Sequence, residues 1–206
     1  MNTPLASRKP TLINVTLLLL LLLLLLLCQI APPAHSATTD QPDFQMREIL
    51  QRTLKNAGSF KDRYDAEVWL LDMSTRLTPY IKHPQERLTL LRVVHREATR
   101  FGLRPELVLS VIHVESLFDR YAVSSAGAQG LMQVMPFWKN EIGTPSDNLI
   151  NMETNIRYGC TILKAYLERE NGNERLALAR YNGSVGKNWY PERVFNAWKK
   201  HWFVQS

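Results

Sequence analysis

The amino-acid sequence predicts an all-α domain, and three observations carry that expectation. Apolar residues recur at three- and four-residue spacing in segment after segment, no stretch alternates apolar and polar as a half-buried strand would, and Pro, Gly and Asn punctuate the periodic segments. There is no internal repeat.

Taken in order, residues 44–55 and 64–77 have helical spacing, with Val68, Leu71 and Leu77 as apolar anchors of the second. Pro84 introduces a helix over 86–101 in which Leu88, Leu91, Val94 or His95, and Ala98 form the apolar face, and Gly102 closes it. Pro105 opens the next helix, where its missing N–H needs no partner, and Leu107, Val111, Val114 and Phe118 make one stripe along it. A loop of small residues, Ser124 to Ala128, and the run Gly130-Leu131-Met132-Gln133-Val134-Met135-Pro136 come next, with room for a minor hairpin near Ser124 to Gln133. Asn151 or Thr154 caps a helix through Tyr158, Leu163 and Leu167 that ends at Asn171-Gly172-Asn173. A shorter helix from Glu174 leads to Tyr181-Asn182-Gly183-Ser184, and a last helix carries Val194, Trp198 and Trp202.

The chain begins with Arg8 and Lys9, no acidic residue before Asp40, and an apolar run from Leu12 to Cys28, followed by small residues up to Ala37. That pattern is a secretory signal peptide over residues 1–37, the alternative being an uncleaved membrane anchor and a third option a lipid-modified Cys28. The domain expectation is therefore signal peptide 1–37, accessory helical segment 38–84 and main domain 85–206. Beyond the leader only Cys160 remains, on the pattern Ile156, Cys160, Leu163, Leu167, so the mature chain forms no internal disulfide and Cys160 reads as a small core residue. The formal net charge is +6, or +4 without Arg8 and Lys9 of the leader, and that moderate basicity suits an anionic polymer or membrane surface. No nucleic-acid motif accompanies it, so no nucleic-acid partner is expected, and membrane contact is expected only through an uncleaved N-terminal segment. No cluster has metal-ligand spacing, His95 included, so neither metal nor cofactor is expected.

Glu115 is the residue that calls for chemistry. It lies four positions after Val111 and three after Ile112, beside the apolar stripe, where burial would raise its pKa and make it a proton donor near neutral pH. The bland alternative is a carboxylate at the stripe's edge that reaches water or a Lys.

Glu115-Ser116, the GLMQVMP run with Gln133 eighteen positions after Glu115, and Ala179-Arg180-Tyr181-Asn182-Gly183-Ser184 stand in order at consistent spacing. Together, over roughly residues 85 to 200, they resemble the catalytic (SLT) domain of the soluble lytic transglycosylases, a family with a goose-type, lysozyme-like α-helical fold and a deep saccharide cleft. The resemblance implies Glu115 as the single general acid and base, Ser116 orienting its carboxylate, and Ser124, Met132, Gln133, Tyr181, Asn182 and Tyr190 as substrate-binding residues. Related domains commonly read Ala-Tyr-Asn-Ala-Gly where this chain has Arg180 before the pair and Gly183-Ser184 after, and often Asn where it has Asp119. Phe118, Trp138 and Trp189 are candidates for stacking on sugars, with core packing the alternative for each.

The implied activity is cleavage of the bond between N-acetylmuramic acid and N-acetylglucosamine in peptidoglycan glycan strands, leaving 1,6-anhydromuramoyl ends, in the periplasm or cell envelope. Most glycosidases pair two carboxylates, and Asp119 is placed as a helix-end residue rather than a partner. The alternatives are a goose-type hydrolase, and a non-catalytic wall-binding protein.

Overall fold

The computed structural model describes residues 63–204, with side chains from residue 69. The leader over 1–37, the helix expected over 44–55 and the side chain of the anchor Val68 lie outside what is described. Among the described residues there are seven α-helices, α1 Arg63–Arg76, α2 Pro84–Arg100, α3 Pro105–Ser116, α4 Trp138–Ile142, α5 Met152–Arg169, α6 Glu174–Tyr181 and α7 Trp189–Ala197, followed by a π-helical turn, Trp198–Trp202. No described helix is long and apolar enough to cross a membrane.

Local chemistry sets the boundaries. Pro84 and Pro105 sit at the first positions of α2 and α3, where an N–H would have no intrahelical acceptor. At Gly102 the backbone turns left-handed, φ 65°, and Leu103 N–H donates to Ala98 O at 2.8 Å, which ends α2. Asn151 Oδ1 accepts from Thr154 N–H at 3.1 Å and Asn173 Oδ1 from Leu176 N–H at 3.2 Å, capping α5 and α6.

The helices close on themselves. α2 packs on α3 and α5, α5 on α6, α6 on α7, and α7 returns to α3, while α1 lies against α2 and the π-helical turn. α3 has partners on several sides, and Leu107, Val108, Leu109, Ser110, Val111 and Ile112 are consequently all buried. Met73, Leu77 and Ile81, from α1 and the turn after it, enter the same core as the residues of α2, α3 and α5. Cys160 is a buried free thiol within that core.

Three expectations change. Leu71, taken as an anchor of α1, is 73% exposed, and Met73 takes its place with no exposure. The stripe read through Phe118 outruns its helix. α3 ends at Ser116, and Leu117 and Phe118 both have positive φ, 50° and 67°, a conformation that non-glycine residues hold only when their surroundings enforce it. Phe118 is enforced by packing, its ring 5.1 Å from Tyr80 and 5.3 Å from Trp202, so it is buried as the stripe implied but from a turn. The hairpin is reduced to two isolated antiparallel bridges, Val123 to Gln129 and Gln129 to Val134.

Candidate active site

Glu115 is the penultimate residue of α3. Tyr190, second residue of α7, is buried, and its hydroxyl donates to Glu115 Oε1 at 2.5 Å. Asn182 is the C-terminal cap of α6 and brings its amide beside the same carboxyl. The site is thus assembled where α3, α6 and α7 meet in the ring.

Burial pushes the Glu115 carboxyl up from 4.5 to about 7; the Tyr190 hydroxyl, the Arg193 guanidinium and the Asn182 amide each pull it back. Desolvation wins because a hydrogen-bonded hydroxyl and a solvated cation only partly replace the water that a carboxylate loses. Glu115 therefore changes protonation state close to neutral pH. Burial, with the Glu115 charge second, pushes both Tyr181 and Tyr190 well above the ordinary tyrosine range, so both hydroxyls are donors there.

The run from Gly130 to Met135 is clamped behind the carboxyl. Asn155 reaches up from α5, accepting from Met132 N–H at 2.8 Å and donating to Gln129 O at 2.7 Å and Leu149 O at 2.8 Å. Gly130 has φ 73°, and a Cβ there would lie 2.5 Å from Asn155 Nδ2 and 2.7 Å from Leu149 O, so only glycine fits. Tyr181 Oη donates to Met132 O at 2.7 Å and Ser116 Oγ to Leu131 O at 2.9 Å.

Several residues named from the sequence thus have other work. Ser116 bonds the backbone carbonyls of Ile112 and Leu131 rather than the Glu115 carboxylate, tying the end of α3 to the loop. Met132 has no exposed surface; it fills the notch at Gly159, where a Cβ would lie 2.4 Å from its Sδ, and so cannot touch a saccharide as packed. Ser124 Oγ accepts from Ala128 N–H at 3.0 Å and builds its own turn. Gln133, with φ 48°, spends its amide N–H groups on Ala122 O and Gly130 O, at 3.1 and 2.9 Å. Asp119 is exposed and accepts from Tyr121 N–H at 2.9 Å. Phe118 and Trp138 are core residues, whereas Trp189 is 48% exposed and sits edge-on to Tyr190 at 5.7 Å. Arg180 pairs with Glu170.

A cleft of about 530 Å³ is lined by the end of α3, Glu115 included, and by Arg193, Asn196, Ala197 and Lys200. These four stand at i, i+3, i+4 and i+7, one face of α7 continued into the π-helical turn. Sequence reasoning passed over Arg193, Asn196 and Ala197, although that spacing was available, and took Lys199, Lys200 and His201 for a solvated helix terminus rather than a binding patch; Lys200 and His201 line the cleft. No group of three or more His, Cys, Asp or Glu that could hold a metal occurs among the described residues.

An α-helical domain that offers one buried, protonatable carboxyl to an open polar cleft is the class these features define. The family model described as the transglycosylase SLT domain matches residues 92–202, more than half of the chain, and the chain belongs to that family. Its all-α, lysozyme-like fold class rests on its helices and on that membership. A membrane-bound lytic murein transglycosylase C from Edwardsiella ictaluri is 31% identical over 112 residues, 47% of this chain and 31% of the relative. The protein of the same name from Actinobacillus pleuropneumoniae serotype 5b is 52% identical over 46 residues, 22% of this chain and 13% of the relative. Among solved structures, an inactive mutant of the lytic transglycosylase Slt from Pseudomonas aeruginosa is similar at 31% identity and TM-score 0.42, over 52% of this chain and 19% of that one. The matched part spans less than a third of each of these proteins.

Proposed function

We propose that this domain is a lytic transglycosylase that cuts peptidoglycan glycan strands between N-acetylmuramic acid and N-acetylglucosamine, with Glu115 as the one acid and base. The observation that carries the reading is the Glu115 carboxyl itself, raised to about 7 by burial and held through Oε1 by the Tyr190 hydroxyl. A proton donor works best when its pKa lies near the working pH, and a positioned acid contributes roughly 10²–10⁴-fold in rate.

The steps balance on one carboxyl. Protonated Glu115 gives its proton to the glycosidic oxygen as the bond to the muramoyl C1 breaks, and the substrate's own N-acetyl oxygen takes up the electron deficiency at that carbon. The carboxylate so formed removes the proton from the muramoyl 6-hydroxyl, whose oxygen closes on C1 and expels the acetamido oxygen. Glu115 ends protonated, no water is consumed, and the product carries a 1,6-anhydro ring. The environment of Glu115 supports both halves: burial favours the acid at the start, and Tyr190, Arg193 and Asn182 favour the carboxylate in between. Among residues of this chain we assign Tyr190 and Asn182 to orient the carboxyl, and Gln133 and Tyr181 to hold the loop against which the saccharide rests. Asp119, engaged with the Tyr121 N–H, is not assigned as a second acid. Such substrates place the protein in the bacterial envelope, and the leader over 1–37 is the proposed means of export.

Mass analysis of products from purified peptidoglycan tests this. Muropeptides one water lighter than their reducing-end counterparts are expected from the parent chain and not from Glu115→Gln. Reducing ends instead would establish hydrolysis and sink the single-carboxyl mechanism.

A further inference from the structure

The π-helical turn is fastened to α3 by a hydrogen bond whose acceptor can take up a proton. Trp202, the last residue of the turn, has no exposed surface, and its ring packs against those of His113, Phe118 and Tyr80 at 5.8, 5.3 and 6.2 Å. Its one polar side-chain atom, Nε1, donates to His113 Nδ1 at 3.2 Å. An accepting Nδ1 carries no proton, so in this arrangement the imidazole is neutral with its hydrogen on Nε2. The same turn sets Lys200 and His201 along the cleft, which His113 also lines. Arg76, a permanent cation, holds the backbone of the turn separately, through the carbonyls of His201 and Phe203.

We propose that His113 is a positioning residue with a pH-sensitive role: neutral, it latches the π-helical turn through Trp202 and holds the cleft in its saccharide-binding shape, and on taking up a proton it releases the turn. That the ligand is a saccharide rests on the function proposed above; the latch itself does not. A protonated Nδ1 would face the Trp202 N–H donor to donor, with no water at a fully buried indole to relieve either. The surroundings oppose that proton. The His201 ring lies 4.8 Å from the His113 ring, and Arg193 and Lys200 line the same cleft, where Glu115 is the one acidic residue. Tyr80 meets the imidazole edge-on at 5.0 Å. Of the charged groups on the helices packed against α3, Arg87 of α2 bonds the carbonyls of Ile81 and Lys82, Glu97 pairs with Arg96, and Glu192 of α7 pairs with Arg175, while His95 lies against Trp69. Burial first, and a charge on His201 second, lower the His113 imidazole below its ordinary 6.5. As pH falls below that value the unfolded chain takes up a proton that the latched fold resists, so acid works against the latch.

The experiment uses the full chain carrying Glu115→Gln, so that Glu115 does not titrate, with and without His113→Asn, whose Oδ1 can accept from Trp202 at any pH. Two quantities are followed from pH 7.5 to pH 4.5. One is the Trp202 indole N–H resonance of the ¹⁵N-labelled protein, assigned by its loss in Trp202→Phe. The other is affinity for chitin oligosaccharides, which carry no charge of their own. With His113 present, the indole resonance is expected to move with a midpoint below 6.5 that matches the His113 ring protons, and affinity to fall about tenfold over the range, the scale of one buried hydrogen bond. With His113→Asn both are expected to stay nearly level. An indole resonance that does not move, or an affinity that falls equally in both chains, would overturn the latch. If His113→Asn does not fold, the match or mismatch between the Trp202 and His113 midpoints decides alone. Turnover by the parent chain is read separately. A titrating indole without anhydro products would sink the proposed reaction and leave the latch standing, and anhydro products with a static indole would do the reverse.

Discussion

Glu115 carries a cost that its protonation state makes measurable. Its carboxyl titrates at about 7 in the fold, against 4.5 for the unperturbed group. Between those values the native state keeps a proton that the unfolded chain has released, so native stability falls as pH rises through that window and levels off above it. Below about pH 4.5 both states are protonated and the penalty vanishes. Glu115→Gln has nothing to ionise, yet keeps an oxygen to accept from Tyr190. It is expected to exceed the parent by about 3 kcal/mol at pH 8 and to match it near pH 4, as read by urea unfolding at the two pH values. Parallel curves at both would mean that the fold does not hold this carboxyl protonated, and the proposed acid would lose its physical basis. Tyr190 shows why Glu115 can serve in both forms. Its hydroxyl, kept protonated by burial, donates to the carboxyl whether that group is neutral or charged, and more strongly to the charge.

Elements differ in how they announce themselves. α2, α5 and α6 start and stop where Pro84, Gly102, Asn151 and Asn173 said they would, since caps and breakers are local chemistry that a sequence displays. The end of α3 was hidden, because the left-handed turn at Leu117 and Phe118 is imposed by the partners of Phe118, which come from distant parts of the chain. Glu115, Asn182 and Tyr190 stood out through motif resemblance, whereas the orientation of Met132 and Ser116 depended on what lay behind them. Asn155 went unread for the same reason: in sequence it is one polar residue in an amphipathic helix, and only the fold shows it bonded to three backbone groups of other segments. Replacing it by Ala leaves Met132 N–H and Leu149 O to find other partners inside the protein, while Gln129 O keeps the Val134 N–H at 2.9 Å. We expect Asn155→Ala to cost about 3 kcal/mol, at roughly 1–3 kcal/mol for each buried group stranded. Thermal unfolding followed by circular dichroism reads the loss. A change below about 0.5 kcal/mol would mean that the loop from Gly130 to Met135 stands without this clamp.

At the scale of the molecule, the open matter is whether α1 belongs to the domain or rides on it. The sequence shows two amphipathic segments ahead of Pro84 and offers no reason to join them to the helices beyond it, because pairing between helices leaves no periodic trace. The family match begins later still, at residue 92. In the fold, however, Met73 and Leu77 have no exposed surface and share one core with Leu91, Val94 and Leu107. Arg76 extends the attachment by donating to the carbonyls of His201 and Phe203, both at 3.1 Å, so the segment also holds the far end of the chain. With Cys160 the one cysteine of the described residues, and buried, no disulfide can substitute for that packing. Two substitutions separate the readings. Leu77→Ala removes a buried side chain from the shared core and is expected to cost about 2–5 kcal/mol, whereas Leu71→Ala, at a position 73% exposed, should stay within about 0.5 kcal/mol of the parent. If α1 is part of one cooperative unit, Leu77→Ala shifts a single urea transition, and tryptophan fluorescence and far-ultraviolet dichroism follow it together. If α1 is an appendage, the same substitution splits off an early, small transition and leaves the main one where it was. The second outcome would return residues 63–83 to the status of an accessory arm, and the first makes them a structural requirement of the cleft whose wall they help to hold.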